Sequence, residues 1–131
     1  MKRVIRLSIL ALTLGALILG ARLAAQTQSA PAQKQTYFVL YHPGPSWIPE
    51  KPVSGQHLRE HGQYILAQYK QGTVKFGGPF ADNSGGACAI EVQNEDEAKK
   101  FVAADPAVVS QVFTAEIHPW HLVDWDKIAK Q

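Results

Sequence analysis

Residues 73–93, TVKFGGPFADNSGGACAIEVQ, decide the fold of this chain. They contain two short runs rich in apolar residues, 73–76 and 87–93, which are typical of β-strands. The Asp, Asn and Gly residues that hairpin turns favour lie between them, at 82–86. The stretch therefore predicts an antiparallel hairpin near the middle of the chain.

The segment before this hairpin has the pattern of an amphipathic helix. Ser54 can serve as its N-cap, and Gly72 can end it in the way a C-terminal glycine does. Leu58, Ile65 and Tyr69 are spaced by seven and four residues, which places them on one face of a helix. We predict a helix over residues 55–71.

A second helix is predicted directly after the hairpin. Asn94 is a suitable N-cap, and the three acids at 95–97 lie in the first turn, where the helix dipole favours them. Ala98, Phe101 and Val102 continue at helical spacing, and Asp105 falls on the same face. The proline at 106 is expected to start a further short turn.

Strands are expected at both ends of the domain. Residues 37–41, YFVLY, and 113–119 have strand composition, and the continuous apolar run of the first indicates a central strand buried on both faces. Between it and the first helix, four prolines make 42–53 a loop, which carries Trp47 as an exposed aromatic residue.

The predicted order is therefore β-α-β-β-α-β, an α+β fold of the ferredoxin-like type. Such a fold is a four-stranded antiparallel sheet with two helices on one face. The other face would carry alternate residues of the apolar first strand, so something must cover it. A second copy packed sheet to sheet is the simplest cover, which predicts a homodimer.

The N-terminus has the pattern of a secretory signal peptide. Three cations precede an apolar stretch at 7–20 that is too short for a typical membrane span, and the small residues Ala24 and Ala25 follow it. We predict cleavage near Ala25 and a periplasmic or secreted protein with no membrane attachment afterwards. The alternative is an uncleaved anchor.

The predicted cleavage defines the remaining segments and their charge. Residues 26–35 form a flexible tether, 36–124 the folded domain and 125–131 a C-terminal tail. The leader holds four of the 13 cations and no acid, so nine cations remain against 11 acids and the net charge changes from +2 to −2. This balance argues against nucleic acid as a partner. The single cysteine, Cys88, excludes an intrachain disulfide and is expected to be a buried, inert thiol.

Four of the five histidines occur in pairs, which raises the question of a metal. His57 and His61 are one helical turn apart, and His118 and His121 flank the end of the last strand. Four converging imidazoles could hold zinc or copper. We expect no metal and no other cofactor, because the spacing lacks the glutamate of the zinc-protease motif and no cysteine ligand is at hand.

His61 and Asp105 are the candidate catalytic residues. On the predicted helix His61 lies beside the apolar stripe, where an imidazole is either a hydrogen-bonded residue at the edge of the core or a functional group. Asp105 lies on an apolar helix face, where an unpaired carboxylate is costly, although an aspartate before proline is also a good N-cap. Neither residue alone decides between these interpretations.

Together, these features make the chain similar to the YciI-like (YCII-related) family over about residues 37–123. The matching features, in order, are YFVLY at 37–41, HGQYI at 61–65, GGPF at 77–80 with Asp82, the Gly85-Gly86 turn, Glu97-Ala98, Ala104-Asp105-Pro106 and IHPW at 117–120. The resemblance implies a dimeric α+β barrel in which His61 and Asp105 form a catalytic dyad. Related proteins include a dehydrochlorinase of a chlorinated hydroxyhydroquinone.

The chemistry that follows is acid/base catalysis on a small aromatic or phenolic ligand. Asp105 would orient the imidazole, and His61 would move a proton in an elimination or tautomerisation that needs no metal. Phe80, Trp47 and Trp120 are candidate substrate-binding walls, and Gly77 and Gly78 would let the backbone approach the ligand. A non-catalytic module that binds a small ligand, and a histidine-based metal-binding protein, remain the alternatives.

Overall fold

The computed structural model describes residues 33–131, so the predicted signal peptide and most of the tether lie outside the described residues. Within this range the strands are β1 (Gln35–Pro43), β2 (Val74–Pro79), β3 (Gly86–Val92) and β4 (Phe113–Pro119). The helices are α1 (Arg59–Lys70), α2 (Glu95–Ala103) and the single turns α3 (Pro106–Val109) and α4 (Trp125–Ile128). No helix in this range is both long and apolar enough to cross a bilayer.

The four strands form one antiparallel sheet in the order β2-β3-β1-β4. The first strand is central, with Val39 facing Cys88 of β3 on one side and Ile117 of β4 on the other. At one edge, β2 carries an irregularity between Val74 and Phe76. This topology confirms the predicted ferredoxin-like α+β fold with its central hairpin.

The hydrophobic core lies between the sheet and the helices. Along β1 the buried side chains alternate, so Tyr37, Val39 and Tyr41 enter the core while Phe38 and Leu40 are half-buried on the opposite face. The first strand is thus central, as predicted, but in the single chain only one of its faces is buried. Its alternation follows from the two-residue period of a strand.

The second helix forms as the sequence predicts. The side chain of Asn94 accepts a hydrogen bond of 3.0 Å from the backbone N–H of Glu97, which caps the first turn. Ala98, Phe101 and Val102 are its buried residues. This helix is therefore anchored in the core by its own apolar face.

The first helix begins later than predicted, at Arg59 rather than near residue 55. Ser54 lies in a 3₁₀ turn (Val53–Gly55) and does not cap it; Leu58 occupies the N-cap position without a side-chain hydrogen bond. The cause is Gln56, whose buried amide bonds both the N–H and the carbonyl of Ile48 at 2.8 Å. These bonds fix Gln56 to the proline-rich loop, so residues 53–58 do not join the helix.

The predicted buried face of this helix is also only partly correct. Leu58 and Ile65 pack against the core, but Tyr69 is 58% exposed and no residue of α1 is fully buried. The first helix therefore packs less closely against the core than α2 does.

The proline-rich loop is more buried than predicted. Its Trp47 is not exposed but half-buried, with its ring 5.5 Å from that of Phe113.

Candidate active site

Asp105 lies at the corner between α2 and α3, and its local sequence explains the placement. Proline at the following position disfavours the helical conformation, so Asp105 adopts an extended one (φ −70°, ψ 121°) and α2 ends before it. Its carboxylate then caps α3 by accepting 2.9 Å from the N–H of Ala107. The side chain is fully buried, so it requires further hydrogen-bond partners.

His61 of α1 supplies that partner. Its Nδ1 lies 2.9 Å from Oδ1 and 2.8 Å from Oδ2 of Asp105. Two aromatic rings contact the imidazole edge-on: Tyr41 at 5.2 Å between ring centroids and Phe113 at 5.4 Å. The structure thus brings together the two residues that the sequence singled out as a dyad.

This geometry sets the tautomer of a neutral His61. A carboxylate can only accept hydrogen bonds, so the imidazole proton lies on Nδ1 and Nε2 carries the free lone pair. Among the described residues no group bonds this Nε2. The pair can therefore accept a proton at Nε2, and Asp105 can stabilise the imidazolium that results.

A cavity of about 250 Å³ opens beside the imidazole, between α1 and the sheet. Its lining is mostly apolar and comprises Tyr41, Val53, Leu58, His61, Gly62, Ile65, Gly77, Gly78, Pro79, Gly85, Gly86, Ala87, Cys88 and Phe113. Glycines thus occupy wall positions in the helix as well as in the two strands of the hairpin. A volume of about 150 Å³ is enough for benzene, so a substituted single ring fits this space.

Two residues of the cavity wall, Tyr41 and Cys88, titrate far from their ordinary range. Burial is the main cause that raises the pKa of the Cys88 thiol to about 12, in agreement with the expectation of an inert thiol. Burial also raises the pKa of Tyr41, and the neighbouring Cys88 and Asp105 add to that shift. The Tyr41 hydroxyl, buried and without a hydrogen-bond partner in the described chain, remains a neutral donor.

Tyr41 and Phe113 were missed as site residues by the sequence reasoning. The signal was present for Tyr41, because alternation along YFVLY places it on the same side of the sheet as Val39. Phe113 is the first residue of β4 and gave no comparable signal.

Of the five other predicted site residues, two line the cavity and three lie outside its lining. Gly77 and Gly78 line the cavity, but Phe80, Trp47 and Trp120 do not. Phe80 follows β2 into the hairpin turn, where its N–H bonds the carbonyl of Gly85. Trp47 is one layer behind the wall, against Phe113.

Trp120 lies away from this cavity for a topological reason. It follows β4 and packs against Phe38, which points to the face of the sheet opposite the helices (5.3 Å between ring centroids). The cavity is on the helix-covered face.

The paired histidines do not converge. Within residues 33–131 no group of three or more His, Cys, Asp and Glu side chains is placed to hold a metal ion. His61 is committed to Asp105, and His118 lies 3.4 Å from Glu116 on the open face of the sheet. The metal-binding alternative therefore has no site in the part of the chain described.

A ferredoxin-like domain with a buried His–Asp pair beside an apolar cavity is the class of protein that these observations define. The family profile of the YCII-related domain matches residues 36–121. The chain belongs to the YCII-related domain family.

Two similar proteins are informative about the extent of this match. The uncharacterised protein YjpA of Bacillus subtilis (strain 168) is 33% identical over 67 residues, which cover 51% of this chain and 79% of YjpA. The solved structure of 5-chloro-2-hydroxyhydroquinone dehydrochlorinase (TftG) from Burkholderia phenoliruptrix AC1100, in complex with 2,5-dihydroxybenzoquinone, matches with a TM-score of 0.49 and 21% identity. That match covers 68% of this chain and 97% of the other.

Replacing Asp105 by asparagine is expected to reverse the tautomer of His61. The Asn oxygen can still accept from the N–H of Ala107, so its amide N–H₂ faces Nδ1 of His61 and donates to it. The proton of the neutral ring then lies on Nε2. Nitrogen-15 NMR of the imidazole measures the change directly.

The matched control is Asp82→Asn, because Asp82 is an exposed turn residue whose hydrogen bonds within residues 33–131 come from Ser84. It should leave the His61 tautomer unchanged. A wild-type ring protonated on Nε2, or a D105N ring still protonated on Nδ1, would contradict the hydrogen-bond assignment.

Proposed function

We propose that this protein is an acid/base enzyme of the elimination (lyase) or isomerase type that acts on a small aromatic or phenolic molecule. One observation carries the proposal: His61 is oriented by the buried Asp105 and has its Nε2 free beside an apolar cavity. A general base must have its orientation fixed and its proton-accepting atom within reach of the ligand.

The proposed step uses only groups of this chain and of the substrate. Nε2 of His61 accepts a proton from an O–H or C–H bond, and the electron pair of that bond forms a new π bond. In an elimination, a leaving group departs with its bonding pair; in a tautomerisation, the proton returns at another atom. Neither route changes the oxidation state of the protein.

The walls of the cavity support an aromatic ligand. Tyr41 and Phe113 present rings next to the imidazole, and the remaining lining is mostly aliphatic or glycine. The Tyr41 hydroxyl is buried and stays neutral, so it adds no charge to this wall. The same features also suit the second candidate, a module that binds such a ligand without transforming it.

The decisive experiment separates binding from turnover. Di- and trihydroxybenzenes, with and without a chloride substituent, are tested first for binding by calorimetry and then for deuterium uptake at ring carbons in D₂O and for chloride release. Wild-type protein should bind and turn over at least one compound. His61→Ala should lower the rate about 10²- to 10⁴-fold, the usual contribution of a general base.

His57→Ala is the matched control, because His57 is an exposed histidine four residues earlier that does not line the cavity. It should bind and react like the wild type. Binding that depends on His61 without any turnover would favour the binding module. Turnover unaffected by His61→Ala would show that the dyad is not the catalyst.

We also propose that the protein is a homodimer formed through the open face of the sheet. Phe38 and Phe76 both contact Trp120 on this side, at 5.3 and 6.2 Å between ring centroids, and Phe76 and Trp120 are exposed.

If the protein is this dimer, analytical ultracentrifugation should give twice the mass of one chain. Phe38→Glu should yield monomers and Val109→Glu, on exposed α3, should not. A monomeric wild type at tens of micromolar would refute this arrangement.

Export to the periplasm or the outside of the cell is the remaining proposal. It is supported by the cationic start, the short apolar stretch and the small residues at 24–25. Mass spectrometry of the protein from its natural source should find a mature N-terminus near residue 26. An intact Met1 on membrane-bound protein would instead favour the uncleaved anchor.

A further inference from the structure

A second groove lies beside the cavity, between α1 and the edge strand β2. It has a volume of about 290 Å³ and is lined by Gly62, Ile65, Leu66, Tyr69, Val74, Phe76 and Gly77. Gly62, Ile65 and Gly77 also line the cavity beside His61. The cavity and the groove are therefore adjacent, and two of the three residues between them are glycines.

The glycine in the helix is not required by the conformation of the chain. Gly62 lies inside α1, where glycine is less favourable than alanine, and its φ is not in the left-handed region. A Cβ built on it would meet nothing within 4 Å. By contrast, a Cβ on Gly77 would come within 2.6 Å of Cβ of Cys88, so close packing explains that glycine. At Gly62 a side chain would meet only open space, so packing does not explain the glycine there.

The groove also gathers exposed apolar side chains. Leu66 and Tyr69, both on α1, are 51% and 58% exposed, and they are two of the nine exposed large hydrophobic residues in the described chain. Single exposed hydrophobic residues are common on protein surfaces. Two of them on one helix, beside a groove that adjoins an apolar cavity, are consistent with a ligand-binding surface.

We propose that the ligand has two parts: a phenolic ring beside His61 and an apolar alkyl or aryl substituent that passes Gly62 into this groove. The inference rests on the proposed function, because the ring is placed at the same dyad. It adds a substrate class, phenols with an apolar side chain. It also makes Gly62, Leu66 and Tyr69 specificity-determining residues.

The test is a ligand series with one variable, the length of the substituent. Hydroquinone and ethyl-, butyl- and hexylhydroquinone are titrated into the full chain by calorimetry. Each methylene buried in the groove should improve Kd about fourfold until the groove is filled. The longer members should bind with a stoichiometry of one and compete with hydroquinone.

The variants separate the groove from the cavity. Leu66→Ala combined with Tyr69→Ala should remove most of the gain with chain length and leave the Kd of hydroquinone within about twofold of wild type. Gly62→Ala, which suits a helix, should weaken hexylhydroquinone at least tenfold and hydroquinone less than threefold. Val109→Ala, at an exposed apolar residue away from the groove, is the control and should change neither.

The outcomes distinguish this inference from the proposed function. Hydroquinone binding that needs His61 but does not improve with chain length would overturn the groove assignment alone. A gain that persists in the Leu66/Tyr69 double variant would do the same. If that double variant lowers the mass in ultracentrifugation, a second copy occupies the groove and the inference is wrong. If no compound binds, both proposals fail.

Discussion

The buried carboxylate of Asp105 is the constraint on which the other features of this domain depend. A fully buried carboxylate is stable only when its oxygens are hydrogen-bonded, and here the partners are the N–H of Ala107 and the Nδ1 of His61. One partner is local and follows from the Asp-Pro sequence; the other comes from a residue 44 positions earlier. The contact thus ties α1 to the corner between α2 and α3. This matters because α1 has no fully buried residue of its own to fix its position.

The weak packing of α1 against the core and the cavity beside it have the same cause: side chains do not fill the space between this helix and the sheet. Where a helix meets a sheet, side chains normally fill the space, as Phe101 and Val102 do beneath α2. Beneath α1 a cavity remains open, and no residue of that helix is fully buried. The polar link from His61 to Asp105 and the half-buried Leu58 and Ile65 therefore hold the helix over a space that it does not fill.

The sequence could predict those parts of the structure that depend on neighbouring residues. The strands, the cap at Asn94 and the turn after Asp105 follow from short-range rules, and strand alternation assigns β1 to its two faces. The start of α1 could not be predicted, because the amide of Gln56 bonds Ile48, eight residues away in the loop. The positions of the predicted aromatic residues could not be derived for a similar reason: Trp120 packs on the face of the sheet opposite the helices, and the position of Phe80 depends on how the hairpin turn closes.

The charges around the cavity suggest why proton transfer to His61 would be favourable there. Tyr41 and Cys88 are kept neutral, since burial raises the pKa of both, so the Asp105 carboxylate is the charged group closest to the imidazole. When a neutral ligand gives its proton to Nε2, the imidazolium forms within 3 Å of that carboxylate, at low effective dielectric. The buried single charge becomes an ion pair. An uncharged acid of phenolic type therefore suits the site better than a carboxylate ligand, whose charge would add to that of Asp105.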